Sequence, residues 1–233
     1  MNMKSMVVLS VSMGSVLAHG IDLPVTAGLN LHLDAYRQDS MTLSANNEVL
    51  EWRSLGSDGT VFQAAARMTF PVGPFCTGIP YLVEERGYPA VFFGSTYDGQ
   101  PTNSLMATTT PVQNQTLFVV NRQQSSISMC ALLGQISDST SRLYRDINYD
   151  YCWKTANFTE LWINDVKGKT SFGNIAATAE PHLVSGVRTE NRNIECLGAA
   201  YVWNPDAGVA TNPDWCYAKT SFHEVISYDR LLS

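Results

Sequence analysis

Short runs of alternating apolar and polar residues dominate this sequence, and a period of two residues is the signature of a strand with one buried face. Each run is about four to eight residues long and ends in turn-forming residues such as Gly56, Ser57, Asp58 and Gly59. No window of useful length carries apolar residues at the spacing of three and four that a helix needs. The predicted strands lie near Leu29–Asp34, Val49–Arg53, Val61–Ala65, Ala90–Phe93, Leu117–Asn121, Ile127–Leu133, Arg142–Ile147, Glu160–Asn164, His182–Arg188, Ile194–Tyr201 and Phe222–Tyr228.

About eleven strands without helices are typical of an antiparallel sandwich of two sheets. The chain has 233 residues, and one sandwich can accommodate them around a sizeable core. No internal repeat, low-complexity tract or linker divides the sequence. We therefore expect a single all-β domain over residues 21–233.

Residues 1–20 have the order of a secretory signal peptide. Lys4 precedes an apolar stretch from Met6 to Leu17, and small residues around Ala18 and Gly20 offer a cleavage site. The alternative is a membrane anchor, but the stretch is about twelve residues long and a span needs about twenty. The sequence therefore predicts a secreted mature domain, extracellular or at the cell surface, without a membrane span.

The formal net charge is −6 at pH 7, and no block of Lys or Arg occurs. Such a chain has no means of neutralising a nucleic-acid backbone or an anionic lipid surface. We therefore exclude nucleic acid as a partner.

Export permits disulfides, and the predicted mature domain contains five cysteines. No pair has the C-x-x-C spacing of a zinc ribbon or a redox site. The sequence leaves the pairing open. The preferred hypothesis joins Cys130 to Cys152, on strands expected to be close, and Cys196 to Cys216, across a long loop, so that Cys76 is left over.

Motifs of catalysis are absent from the sequence. There is no E-x-D-x-x-E strand for glycan cleavage, no G-x-S-x-G elbow and no phosphate-binding glycine loop. The nearest carboxylate pairs, Glu84 with Glu85 and Glu190 with Glu195, are interpreted as solvated charges in loops. Three histidines are interpreted as half-buried strand residues rather than metal ligands or general bases: His32, His182 and His223.

Aromatic residues give the clearest binding signal. Some alternate along a predicted strand and others flank a loop that also contains aspartates. Aromatic faces stack on sugar rings while carboxylates accept hydrogen bonds from hydroxyls, so these residues predict a glycan site. The alternative is that the rings belong to the core. The candidate ligand-binding residues are Tyr151, Trp153, Trp203, Asp206, Asp214 and Trp215.

Calcium is a candidate cofactor, because Asp58, Asp98, Asp206 and Asp214 lie beside predicted turns and calcium takes oxygen ligands. Turn formation by aspartate explains the same positions. Two sequons, beginning at Asn114 and Asn157, are candidate glycosylation sites in an exported chain.

Several segments follow one another in the order of a known family's landmarks. They are Gly28–Ala35, Val49–Arg53 with its Gly-Ser-Asp-Gly turn, Tyr88–Gly94, Thr116–Val120, Glu160–Asp165 and Phe222–Ser233. Together they resemble the LamG-like, or concanavalin A-like, lectin and glucanase jelly-roll domains. One departure is Asp165, where the family usually has Gly. The resemblance implies a two-sheet antiparallel jelly roll whose first and last strands lie side by side, with Asp34 and Arg230 as structural residues near that seam.

The resemblance and the aromatic residues predict a non-catalytic recognition domain that binds a polysaccharide or glycoprotein through loops at one edge of the sandwich. Two alternatives stay open. One is a structural subunit that self-associates into an extracellular layer or fibre, and the other is a glycan-cleaving enzyme whose site carries no recognised motif.

Overall fold

The structure is a computed structural model that describes residues 23–64, 78–94, 104–123, 130–135, 141, 143–146, 152–153, 157–164, 166–167, 180–198, 203–204, 209–210 and 220–232. Within these residues the chain is all-β, as predicted, with a short 3₁₀ segment at Gln38–Ser40. The predicted signal peptide, residues 1–20, lies outside the described residues. The strands are β1 Leu29–Asp34, β2 Met41–Leu43, β3 Val49–Arg53, β4 Val61–Ala64, β5 Tyr81–Glu85, β6 Tyr88–Phe93, β7 Leu105–Gln123, β8 Cys130–Gly134, β9 Leu143–Asp146, β10 Cys152–Trp153, β11 Glu160–Ile163, β12 Val166–Lys167, β13 His182–Gly198, β14 Trp203–Asn204, β15 Val209–Ala210 and β16 Thr220–Tyr228.

Two groups of antiparallel strands share the long strands β7 and β13. The C-terminal half of β7 pairs with the N-terminal half of β13 and with β16, and β11 and β1 continue this group on either side. The N-terminal half of β7 pairs with β4, while the C-terminal half of β13 pairs with β8. Strands β14 and β15 form a separate two-stranded ribbon.

Both long strands are interrupted by bulges that separate their halves. Along β7, Ala107 pairs with Cys196 and Val112 with Ile194, so the residues between 107 and 112 loop out of the ladder. Pro111 lies in this bulge, which fits its lack of a backbone N–H. A matching bulge in β13 separates its two halves after Val187. Each bulge lets one strand serve two groups.

A single buried apolar cluster takes side chains from both groups of strands, which gives the domain its sandwich-like character. Trp52 of β3, Phe62 of β4, Phe93 of β6 and Phe222 of β16 are each 0% exposed within it. These strands supply the inward residues because every second side chain of a strand points to the same face. Burial of such large apolar side chains is the main stabilising contribution to a fold of this kind.

The outward face of β16 is divided into a covered part and a part that carries polar groups. Ile226 and Tyr228 form a second apolar cluster with Leu29, and the N-terminal segment packs there through Leu23 and Val25. The Tyr228 hydroxyl donates to the Val25 carbonyl oxygen at 2.9 Å. Toward its N-terminal half, the same strand carries Ser, His and Glu. Among the described residues, no helix is long and apolar enough to cross a membrane.

Candidate functional site

The outward side chains of β1 and β16 place two carboxylates directly opposite one another. Asp34 of β1 pairs with Glu224 of β16 in the antiparallel register. The Nε2 of His32 donates to Oε1 of Glu224 at 2.9 Å. Leu31 and Leu33 of β1 point into the core, so alternation directs His32 and Asp34 outward. We call this surface the polar face; it also includes Glu85, Arg122, Ser221 and His223.

A buried cluster around Glu85 forms the second part of the polar face. Ser221 Oγ donates to Glu85 Oε1 at 2.6 Å, and Arg122 Nη1 lies 3.4 Å from the same oxygen. His223 Nδ1 donates to the carbonyl oxygen of Pro89 at 3.0 Å, while its Nε2 lies 3.7 Å from Glu85 Oε2. A register shift in β16 between Phe222 and Glu224 leaves both His223 and Glu224 on this side, while Phe222 and Val225 point into the core. The cluster therefore ties β5 and β6 to β16 and β7.

Glu85 was predicted to be a solvated loop charge, and that prediction is wrong. The residue lies in β5 and is 8% exposed. Burial of this carboxylate is compensated at Oε1, where a hydroxyl donor and a guanidinium lie close to it, because a buried charge needs such partners. Glu190 and Glu195 lie in β13 rather than in loops.

The β5–β6 hairpin brings an exposed tyrosine to the edge of the polar face. Its two turn residues, Arg86 and Gly87, both have positive φ, of 55° and 82°, which defines a type I′ turn. Tyr88 follows directly and pairs with Glu85 across the hairpin. The cluster that holds Glu85 thereby also fixes Tyr88.

Tyr36 and Tyr88 form an exposed aromatic pair beside the carboxylates. Their ring centroids are 6.3 Å apart with an interplanar angle of 74°, and the residues are 48% and 38% exposed. The Tyr36 backbone N–H donates to Oδ1 of Asp34 at 2.9 Å, which holds the loop after β1 against the carboxylate. The solvent-exposed parts of both rings are available to a ligand here.

Electrostatics at Asp34 reflect its half-buried position. Burial raises the pKa of Asp34 above its ordinary value, and the neighbouring charge of Glu224 raises it further. The hydrogen bond from the Tyr36 backbone acts in the opposite direction. The site thus combines carboxylate acceptors with aromatic rings, a set of groups that suits recognition of hydroxyls and sugar rings.

A groove between the β3–β4 turn and the bulge of β7 forms a cavity of about 410 Å³. Hydroxyl and amide groups line it, including those of Thr60, Gln63 and Thr108, together with the carboxylate of Asp58. No local sequence pattern predicts this groove, because the bulge that shapes it depends on pairing between distant strands.

Most of the ligand-binding residues predicted from sequence lie outside the described residues. These are Tyr151, Asp206, Asp214 and Trp215. For Trp153 and Trp203 the structure gives the strand, β10 and β14 respectively, and not the side chain. The glycan site predicted there stays a prediction. Tyr36, Tyr88 and Glu85 were not predicted as site residues. The one local signal was at Tyr88, which precedes Pro89 next to a turn.

The predicted disulfides also stay predictions. Strand β9 lies between the strands that carry Cys130 and Cys152, so their Cα atoms are about two strand spacings, or roughly 10 Å, apart. A disulfide joins Cα atoms about 4.4–6.8 Å apart, so this bridge would need β8 and β10 to be arranged differently around β9. Cys196 is buried, with Sγ 3.1 Å from the Gly134 carbonyl oxygen, while Cys216 and Cys76 lie outside the described residues.

The two sequons differ in accessibility. Asn114 is 0% exposed, and its Nδ2 donates to the Arg192 carbonyl oxygen at 2.7 Å. A glycan on Asn114 would therefore not fit this fold. Asn157 is half-buried beside a small surface cavity, and it stays the candidate glycosylation site.

Within the part of the chain that the structure describes, no group of three or more His, Cys, Asp or Glu side chains could hold a metal ion. Asp58 is exposed in the β3–β4 turn, and Ser57 Oγ donates to its Oδ1 at 3.1 Å. Asp98, Asp206 and Asp214 lie outside the described residues, so calcium stays a prediction.

Comparison of the chain with protein-family models, with curated proteins and with solved structures gives no match.

Proposed function

We propose that this protein is a secreted, non-catalytic recognition domain that binds a glycan, free or on a glycoprotein, on the polar face. The observation that carries the proposal is the exposed pair Tyr36 and Tyr88 beside the opposed carboxylates Asp34 and Glu224. Tyrosine faces stack on the apolar side of a sugar ring, and carboxylates accept hydrogen bonds from its hydroxyls.

Under this proposal the chain adopts a two-sheet jelly roll of the concanavalin A-like kind. Support comes from the antiparallel pairing of β1 with β16, which joins the first strand of the described chain to the last. The two groups of strands then form the two sheets, and the polar face lies on the outside of one of them. The predicted leader and extracellular location belong to the same proposal.

Glycan-array screening of the purified protein, followed by calorimetric titration of the best ligand, tests the function. We expect Tyr36→Ala and Tyr88→Ala each to weaken binding by about fivefold, because each removes an exposed aromatic ring and a stacking contact is worth about 1 kcal/mol. Tyr88→Phe keeps the ring and should retain most of the affinity.

Val166→Ala is the matched control for the tyrosine variants. Val166 is 55% exposed and lies in β12, on the far side of β11 and β13 from β16. Binding should be unchanged in this variant. If the tyrosine variants bind like the wild type while Trp203→Ala and Trp215→Ala lose binding, the site is the loop predicted from sequence. If no glycan binds, the proposed function is wrong.

Glycan cleavage is a second candidate, because Asp34 and Glu224 face one another. Cross-strand partners have Cβ atoms about 5 Å apart, and retaining glycosidases hold their two carboxyl groups about 5–5.5 Å apart. The bound glycan is therefore also assayed for new reducing ends. If the wild type releases reducing ends and Glu224→Gln does not, the domain is an enzyme. Binding without cleavage favours recognition.

A further inference from the structure

The accessible part of the polar face carries an excess of negative charge. Asp34 and Glu224 are half-buried and can be reached from solvent. Arg37 lies near Asp34 in sequence, but its guanidinium donates to both oxygens of Asp39, at 3.0 and 2.9 Å. Among the described residues, no side-chain cation forms an ion pair with Asp34. Glu224 has His32 as its partner.

Two carboxylates directly opposite one another across a pair of strands repel each other. Burial is the main reason that the pKa of Asp34 is raised; the charge of Glu224 adds to it, against the opposing effects of the Tyr36 backbone hydrogen bond, His32 and Arg37. A cation between the two carboxylates would relieve that repulsion. The formal charge of −6 on the whole chain also attracts positively charged ligands over longer distances.

The tyrosine pair adds a second requirement to the ligand. An aromatic ring face attracts a cation within about 6 Å of its centroid, and it also stacks on the apolar side of a sugar ring. Tyr36 and Tyr88 are both exposed, and their ring planes are inclined at 74°. A ligand that satisfies the whole surface therefore combines a sugar ring with a positively charged group.

We propose that the polar face binds glycans whose sugars carry free, protonated amines, as in glucosamine oligomers. The ammonium group lies between Asp34 and Glu224, and the ring packs against Tyr36 or Tyr88. This inference rests on the proposed function, since it names the glycan class that the same site takes. Sulfated or carboxylated glycans are excluded from this site by the same charges.

A matched pair of ligands tests the charge requirement. The glucosamine hexamer and the N-acetylglucosamine hexamer have the same backbone and length, and only the first carries ammonium groups. Calorimetric titration of the full chain at pH 6 should give an affinity at least about tenfold higher for the glucosamine hexamer. That affinity should fall as NaCl is raised from 50 to 500 mM, because salt screens charges that solvent reaches.

Charge-removing variants locate the contact. Asp34→Asn and Glu224→Gln should each lower the affinity for the glucosamine hexamer by about fivefold to tenfold. The affinity for the acetylated hexamer should not change. Asp58→Asn, an exposed aspartate in the β3–β4 turn, is the control and should bind like the wild type. Melting temperatures confirm that each variant is folded.

Two sets of results separate this inference from the proposed function. Equal affinities for the two hexamers, or unchanged binding in Asp34→Asn and Glu224→Gln, would overturn the amino-sugar inference. If neither hexamer binds but another glycan does, and its binding depends on Tyr36 and Tyr88, the amino-sugar inference is overturned and the recognition function stays in place. If no glycan binds at all, both are wrong.

Discussion

At the scale of single residues, the most informative group is Asp34. Its backbone belongs to the first strand and its neighbours Leu33 and Ala35 are fully buried, while its carboxylate faces Glu224. The sequence interpretation treated it as a structural residue near a seam between the first and last strands. The structure places it at that pairing and also beside the exposed tyrosines, where a ligand can reach it.

Stability should depend on pH through Asp34. Folding raises its pKa above the ordinary value of 3.8, so the folded domain keeps a proton at pH values where the unfolded chain has lost it. The stability contributed by this group is therefore lost as pH rises from about 3.8 through the folded pKa. Asp34→Asn keeps the oxygen that accepts the Tyr36 N–H.

We expect Asp34→Asn to melt at a higher temperature than the wild type at pH 7, and the difference to shrink toward zero at pH 3. Thermal unfolding followed by circular dichroism at a series of pH values checks this. Asp58→Asn should track the wild type throughout. A variant that melts lower at pH 7 would show that Asp34 stabilises the fold in its charged form.

Residue-level prediction from sequence was limited by distance along the chain. The outward direction of His32 and Asp34 follows from alternation with the buried Leu31 and Leu33. That Tyr36 lies against Tyr88 does not, because their contact requires β1 and β6 to occupy neighbouring positions along β16. Glu85 looked solvated because its partners come from other strands.

At the scale of elements, glycines show where backbones and side chains approach most closely. Gly198 ends β13 with φ of 90°, and a Cβ added there would contact a ring carbon of Phe93 and lie 2.6 Å from the Ser104 carbonyl oxygen. Gly87 in the β5–β6 turn has a similar φ of 82° and no atom within 4 Å of an added Cβ. The two positions differ in their surroundings and share their backbone conformation.

Gly198→Ala should therefore destabilise the domain by about 1–3 kcal/mol more than Gly87→Ala, since both variants carry the strain of positive φ and only the first also overpacks. Urea unfolding of the two variants and the wild type measures the difference. Equal losses of stability would mean that the end of β13 can move aside.

Strand prediction succeeded where the alternation was local and failed where it was not. The bounds of β1 and β3 are those predicted, because each has a clear apolar face and turn residues on both sides. Two strands were expected, at 182–188 and 194–201, but residues 182–198 form the single strand β13, with an exposed bulge that resembles a loop in composition. Strand β5 was missed, because its half-buried residues give no clean alternation.

At the scale of the whole molecule, β16 holds several parts of the fold together, and its own sequence pattern does not indicate this. It pairs with β1, β6 and β7 and contributes Phe222 and Val225 to the main core. Its outward side supplies Ser221, His223 and Glu224 to the polar face. Removal of this strand would expose an edge of unpaired amides on each of its partners.

Deletion of residues 222–233 should leave a chain that does not fold. We expect loss of the β signal in far-ultraviolet circular dichroism and elution as aggregate or expanded chain in size-exclusion chromatography. Leu231→Ala, at a position that is 49% exposed, is the control for change in the same segment and should fold normally. A compact β-rich product from the deletion would show that the pairing of β1 with β16 is dispensable.

Because β1 pairs with β16, the domain cannot complete its fold until β16 has been synthesised. The hydrogen bond from His32 to Glu224 joins residues 192 positions apart, and contacts of such long range form slowly. During synthesis, β1 is made long before its partner β16. Until β16 is made, the apolar side chains of β1 stay exposed and can aggregate. We therefore expect chaperones or a low expression temperature, which limit aggregation before β16 is made, to affect the yield of folded protein more than the free energy of unfolding does.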